Sequence, residues 1–243
     1  MNFSPVQFSI IYDNKALKSG LRPDWGFSCL ITGPEYLSLF DTGSDSRILL
    51  SNMNNMGIDP GSIDSVILSH AHGDHVGGLS GLLGRHPLKV YIPESFSKDF
   101  KEDVGLLGGT VHSAGKSVMV YPGVYTTNEL GGSIREQSLI LETHDGLVII
   151  TGCAHPGIIE IVEQAAGLFN EKVHLLIGGF HLMGQTEKEI NDITSKLDKL
   201  NVERIGPCHC TGDRARELLS VHYGRDYVEC GAGLSLELPG LRV

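Results

Sequence analysis

The stretch Ser69-His70-Ala71-His72-Gly73-Asp74-His75 sets three imidazoles and one carboxylate within six residues. It directly follows the apolar run Ile63–Ser69, which reads as a short strand. Two histidines at i and i+2 of an extended segment point to the same side. A turn beyond them swings Asp74 and His75 toward the same volume. Imidazole and carboxylate are ligands that suit zinc, iron and manganese alike. Four such groups are too many for one closed tetrahedral site unless all converge, so a pair of adjacent metals is the expected arrangement.

Three further histidines obey the same placement rule. His155 follows the apolar strand Gly146–Thr151, within Thr151-Gly152-Cys153-Ala154-His155-Pro156-Gly157. His209 follows Arg204–Pro207, within Pro207-Cys208-His209-Cys210-Thr211-Gly212. His181 follows Val173–Ile177, within Gly178-Gly179-Phe180-His181-Leu182. Each stands beyond a strand's carboxyl end beside Gly or Pro, a position where α/β folds place function. His181 reads either as a donor to substrate or as a hydrogen-bonded support for a ligand. Asp41 ends the strand Tyr36–Phe40 and opens Asp41-Thr42-Gly43. A carboxylate there can accept the second ring N–H of a ligating histidine, or it is a plain turn aspartate. His86, His112, His144, His174 and His222 have no such context and read as ordinary.

Working outward, short strands are expected at Val6–Tyr12, Ser28–Ile31, Leu88–Ile92, Ser117–Val120, Gly123–Thr127 and Ser138–Thr143. Helices are expected at Ser46–Met56, Ser95–Val104, Pro156–Asn170, Glu187–Leu200 and Asp213–Tyr223. Tyr227–Leu238 closes the chain as one or two strands. Strands open each half and helices finish it, which predicts a mixed α/β protein with two sheets covered by helices. The halves meet near residue 130, and without a linker the whole of 1–243 reads as a single domain.

Composition narrows the function classes. The 243 residues are 41% hydrophobic and carry a formal net charge of −10. The first figure excludes wholesale disorder. The second argues against nucleic-acid binding, which needs a basic stripe for phosphates. No apolar run approaches the ~20 residues that span a bilayer, and Met1–Lys15 lacks the features of a signal peptide. Five cysteines in no disulfide-framework spacing fit reduced, cytoplasmic thiols. Cys153, Cys208 and Cys210 lie close to the candidate histidines; they read either as groups that tune the site or, the favoured reading, as small buried residues.

The ordered set Asp41-Thr42-Gly43, His70-x-His72-x-Asp74-His75, His155 and His209 resembles the metallo-β-lactamase superfamily, from about Trp25 to Gly231. The segments Trp25–Ser28, Glu136–Leu139, Thr151–Ile158, Gly178–Leu182 and His209–Gly212 are similar to one branch of it. That branch comprises metal-dependent hydrolases similar to dihydropterin-(ribofuranosyl)aminobenzene 5′-phosphate synthase. The resemblance implies a four-layer αβ/βα sandwich. It implies His70, His72 and His155 on one divalent metal and Asp74, His75 and His209 on a second, with zinc the leading candidate. Hydrolytic members often carry a bridging aspartate after the strand that follows the third motif; here Gly178-Gly179-Phe180-His181 stands instead.

The implied activity is hydrolysis of an ester or phosphoester by a metal-bound hydroxide. Asp74 would orient the nucleophile, and His181 would donate to the developing oxyanion or to a phosphate. The alternative is transfer of a pterin diphosphate onto a ribofuranosyl-aminobenzene phosphate-like acceptor. Either way the expected partner is a small phosphorylated molecule, not nucleic acid or a membrane. Arg135, Arg214 and Lys116 are candidate phosphate partners, and the glycine-rich stretch 105–133 is a candidate closing loop.

Overall fold

β1 (Val6–Tyr12), β2 (Ser28–Thr32) and β3 (Leu37–Phe40) form where alternating or continuous apolar residues predict them. The computed structural model describes residues 6–242. The signal-peptide reading rests partly on residues 1–5, which lie outside the described residues. The first unit spans residues up to 115 and takes back 231–240. After β3 come α1 (Ser46–Asn55), β4 (Ser65–Ile67), α2 (Gly73–Val76), β5 (Leu88–Pro93), α3 (Lys98–Leu106) and β6 (Gly109–Ala114).

The second unit, 116–230 with 241–243, holds β7 (Met119–Tyr121), β8 (Val124–Thr126), β9 (Leu139–Thr143), β10 (Gly146–Thr151), α4 (Ile158–Phe169) and β11 (Val173–Gly179). It ends with α5 (Glu187–Lys199), β12 (Val202–Cys208) and α6 (Asp213–Tyr223). β13 (Ser235–Leu238) then returns to the first unit.

The first sheet runs β13-β1-β2-β3-β4-β5-β6 and the second β12-β11-β10-β9-β8-β7. Both are mixed, as the α/β reading expects. In the first, β3, β4, β5 and β6 are parallel. In the second, β10, β11 and β12 are parallel. Parallel strands are buried on both faces, which is why β10 is apolar without alternation and all six of its residues are buried. Each sheet has its own core. Leu39, Leu49, Met53, Val66, Leu68 and Val90 pack in the first. Ile149, Ile161, Val162, Leu176, Phe180 and Leu197 pack in the second. Fully burying each such side chain contributes roughly 1.5–3 kcal/mol.

The structure departs from the sequence reading at five places; one is that, of the stretch Tyr227–Leu238, only Ser235–Leu238 forms a strand. The changeover between units falls after Gly115, not near 130, because β7 and β8 pair with β9 and so belong to the second sheet. The strand expected over Ile63–Ser69 hydrogen-bonds as a strand only over Ser65–Ile67. β6 was not expected: its sequence Gly-Thr-Val-His-Ser-Ala alternates weakly, and its residues are exposed or half-buried at the sheet edge. With β7 and β8 it also turns much of the candidate closing loop 105–133 into strand. Among the described residues, no helix is long and apolar enough to cross a membrane.

Candidate metal centre

In the first unit the ligand-type side chains follow the carboxyl ends of β3 and β4, two adjacent parallel strands. Open α/β sheets place sites at such ends. Asp41 leaves β3 with φ +59, a left-handed conformation that Asp tolerates better than most residues. Its carboxylate is fully buried and accepts three hydrogen bonds. The Ser69 amide reaches Oδ1 at 2.7 Å, the Ser69 hydroxyl reaches Oδ2 at 2.7 Å, and His75 Nδ1 reaches Oδ2 at 2.6 Å.

This arrangement fixes proton positions. The carboxylate only accepts, so Nδ1 of His75 carries a proton, and the neutral ring keeps its lone pair on Nε2. The single hydroxyl proton of Ser69 goes to Asp41, so Ser69 Oγ accepts from Nδ1 of His70 at 2.9 Å. His70 therefore presents Nε2 as a lone pair as well. That nitrogen faces Nδ1 of His72 at 3.0 Å. Two imidazole nitrogens facing at this distance share one proton, or both turn lone pairs on a cation. A divalent metal fits this donor set.

The loop carrying these groups is clamped from below. Thr42 donates to the His75 carbonyl through both its amide and its hydroxyl, each at 2.8 Å. A Cβ on Gly78 would stand 2.0 Å from the Thr42 carbonyl, so only glycine lets α2 lie this close to the 41–43 turn. Trp25, half-exposed, donates its indole N–H to Asp74 Oδ2 at 2.9 Å. The same oxygen lies 3.7 Å from His75 Nε2.

In the second unit the ends of β10, β11 and β12 lie in register, Thr151 beside Gly178 and Gly178 beside Pro207. Cys153 and His155 follow β10, His181 follows β11 and His209 follows β12. The 153–155 turn is built on Glu136, which is 1% exposed. Its carboxylate accepts the amides of Cys153 and Ala154 on Oε1 and that of His155 on Oε2, all at 2.9 Å. Among the described residues, non-glycine positive φ occurs at Asp41, Ala154, Asn170, His181, Asn201 and His209. Asn170 caps α4, and Asn201 follows the end of α5. The other four follow strand ends, Asp41 in the first unit and Ala154, His181 and His209 in the second, and strain held at such positions marks segments that their surroundings over-determine.

The rings of His155 and His181 lie 4.4 Å apart, beside a hollow of ≈ 260 Å³ also lined by Pro156, Gln185 and Ile193. Cys153, Cys210 and a nitrogen of His181 stand within 4.8 Å of one another. Cys153 and Cys210 are buried, as the sequence reading expects, and their closeness to His181 favours the companion reading that they tune the site. The Cys210 thiol is pulled down to about 4, chiefly by the Cys153 hydrogen bond and then by His181. His181 is raised by its bond to Cys210. Metal-free protein is thus expected to show thiolate absorbance at pH 7 that fades as pH falls through about 4. Cys210→Ser should abolish that transition; an unchanged transition would contradict the assignment.

Other expectations meet a different outcome. Arg214 is not available to a phosphate: it pairs with Glu187 at 2.6 Å and Glu217 at 2.6 Å. Arg135 Nη1 lies 4.0 Å from Glu129. His174 and His222 pair with Glu203 and Asp198, His112 stacks on Tyr91, and His86 bonds the Ile63 carbonyl, all structural uses. Sequence reasoning missed the role of Glu136, which stands between Arg135 and Gln137 with nothing local to mark its burial.

The profile of the metallo-beta-lactamase superfamily matches residues 22–166. The chain is 31% identical to the 7,8-dihydropterin-6-methyl-4-(beta-D-ribofuranosyl)-aminobenzene-5'-phosphate synthase of Methanocaldococcus jannaschii, over 96% of this chain and 98% of that one. A crystal structure of a metal-dependent hydrolase of the beta-lactamase superfamily is similar with a TM-score of 0.82 and 28% identity, covering 96% and 99% of the two chains. Human tRNase Z, short form, shares the fold at a TM-score of 0.65 and 16% identity, covering 96% and 99%. The α/β sandwich expected from the sequence is the fold of these neighbours.

Proposed function

Because the chain belongs to the metallo-β-lactamase superfamily, we propose that it is a metal-dependent hydrolase of the cytoplasm. Its substrate would be a small phosphorylated molecule, cleaved at an ester or phosphoester bond. His70, His72 and His155 hold one divalent metal, and Asp74, His75 and His209 hold a second, with zinc as the ion in both. The observation that carries the reading is the chain of hydrogen bonds from His70 through Ser69 and Asp41 to His75, which leaves Nε2 of both histidines as lone pairs. When bound, the metals supply Lewis acidity and lower the pKa of water toward ~7.

The protein's own residues do the rest. Asp41 and Ser69 lock the two tautomers, as outer partners of metal ligands do. Trp25 pins one oxygen of Asp74, so the carboxylate is oriented before substrate arrives. His181 is exposed and raised by Cys210, so it offers a proton to a developing oxyanion or phosphate.

A second reading is transfer, favoured by end-to-end similarity to a synthase. There the diphosphate leaving group of a pterin would be held on the metals that the same residues bind, while a ribofuranosyl-aminobenzene phosphate-like acceptor attacks. One experiment separates the two. The zinc-loaded protein is incubated with a panel of phosphoesters and carboxylic esters in water alone, then with a pterin diphosphate and the acceptor together. Product from water alone supports hydrolysis. Product only with both substrates replaces it by transfer.

A further inference from the structure

We infer that the Cys153 thiolate is a ligand shared by the two metals, in place of the carboxylate that the chain lacks after β11. The inference rests on the metal assignment proposed above. Cys153 Sγ lies within 4.8 Å of the ligand nitrogen of His155, and also within 4.8 Å of that of His209. Those two histidines are assigned to different metals. A thiolate within reach of both can bridge them, and thiolate is a good ligand for zinc.

The position is built rather than incidental. Cys153 is 3% exposed. Its amide and those of the next two residues are fixed by the Glu136 carboxylate, and Ala154 turns the chain between Cys153 and His155 at φ +65. Cysteine and histidine therefore project from a short, rigid turn. The alternative source of a bridging anion is closed by sterics. A Cβ on Gly178 would lie 2.1 Å from the Thr151 carbonyl. One on Gly179 would lie 2.3 Å from the Gly152 carbonyl and 2.8 Å from Cys210 Sγ. Neither position accepts an aspartate, and Phe180 is packed in the core. Of the six assigned ligands only Asp74 is an anion, so two dications leave positive charge to offset, and a Cys153 thiolate adds a second anion. On binding, the S–H bond breaks, metal–sulfur bonds form and the proton leaves to solvent.

The test is cobalt(II) substitution of the full chain, followed by near-ultraviolet absorption, with X-ray absorption of the zinc form as a second readout. The wild type is expected to show a sulfur-to-cobalt charge-transfer band and a zinc–sulfur distance of about 2.3 Å. Cys153→Ser should lose the band and Cys210→Ser should keep it. His155→Ala and His209→Ala, each holding one cobalt, should both keep it. A band that survives Cys153→Ser overturns the proposal, as does a band present in only one of the two histidine variants. Two bound cobalts with no sulfur signal overturn it while leaving the metal assignment standing. No cobalt uptake by the wild type overturns the metal assignment itself, and the proposal with it.

Discussion

Asp41→Ala is expected to destabilise the metal-free protein by about 3 kcal/mol or more, and to weaken metal binding beyond measurement. The carboxylate is fully buried and accepts from the Ser69 amide, the Ser69 hydroxyl and His75 Nδ1. Removing it leaves three donors in a dry site, and each buried unsatisfied group costs roughly 1–3 kcal/mol. The loss is read as a lower denaturant midpoint with an unchanged slope. Asp41→Asn separates stability from metal binding. The amide keeps the volume and one acceptor oxygen, so the fold should survive. Its NH₂, standing in place of Oδ2, accepts from neither His75 Nδ1 nor the Ser69 hydroxyl, so the tautomers of His70 and His75 are no longer imposed. Chelator competition should then show metal affinity 10–100-fold weaker. Wild-type affinity in Asp41→Asn would contradict the tautomer argument.

Glu136→Ala is expected to have an effect of similar size on the second unit. Three amides, those of Cys153, Ala154 and His155, lose their acceptor at once. At about 1–3 kcal/mol for each stranded donor, the loss is again roughly 3 kcal/mol or more. Glu136→Gln should cost less. Its remaining oxygen can keep the two amides now on Oε1, while its NH₂ meets the His155 amide donor to donor. The order wild type, Gln, Ala in thermal or denaturant stability checks the account. Equal stability of all three would mean that the 153–155 turn is held by something other than Glu136.

These two acids illustrate what the sequence discloses. Asp41 was legible because it ends an apolar strand and belongs to a known pattern with His70-x-His72-x-Asp74-His75; of its two readings, acceptor for a histidine or plain turn aspartate, the first matches its bond to His75 Nδ1. Glu136 was not, because its partners are amides far along the chain, and an acid's burial is a tertiary fact. Cys153 was half legible. Its apolar neighbourhood predicted burial, and it is buried, but nothing in the spacing revealed its approach to the donors of His155, His181 and His209. The strands with dense β-branched runs, β1 and β10, fall where the pattern puts them. β6 and the return of β13 to β1 did not announce themselves, since edge strands with few apolar residues are defined by their pairing, Val6 with Leu238 and Leu88 with Gly109.

The central claim is the proposal that His70, His72 and His155 hold one divalent metal and Asp74, His75 and His209 a second. Native mass spectrometry of protein purified without chelator tests it most directly, on the wild type and on His75→Ala. The account predicts two divalent ions in the wild type and one in the variant. No bound metal in the wild type, or the same metal count in both proteins, would contradict it.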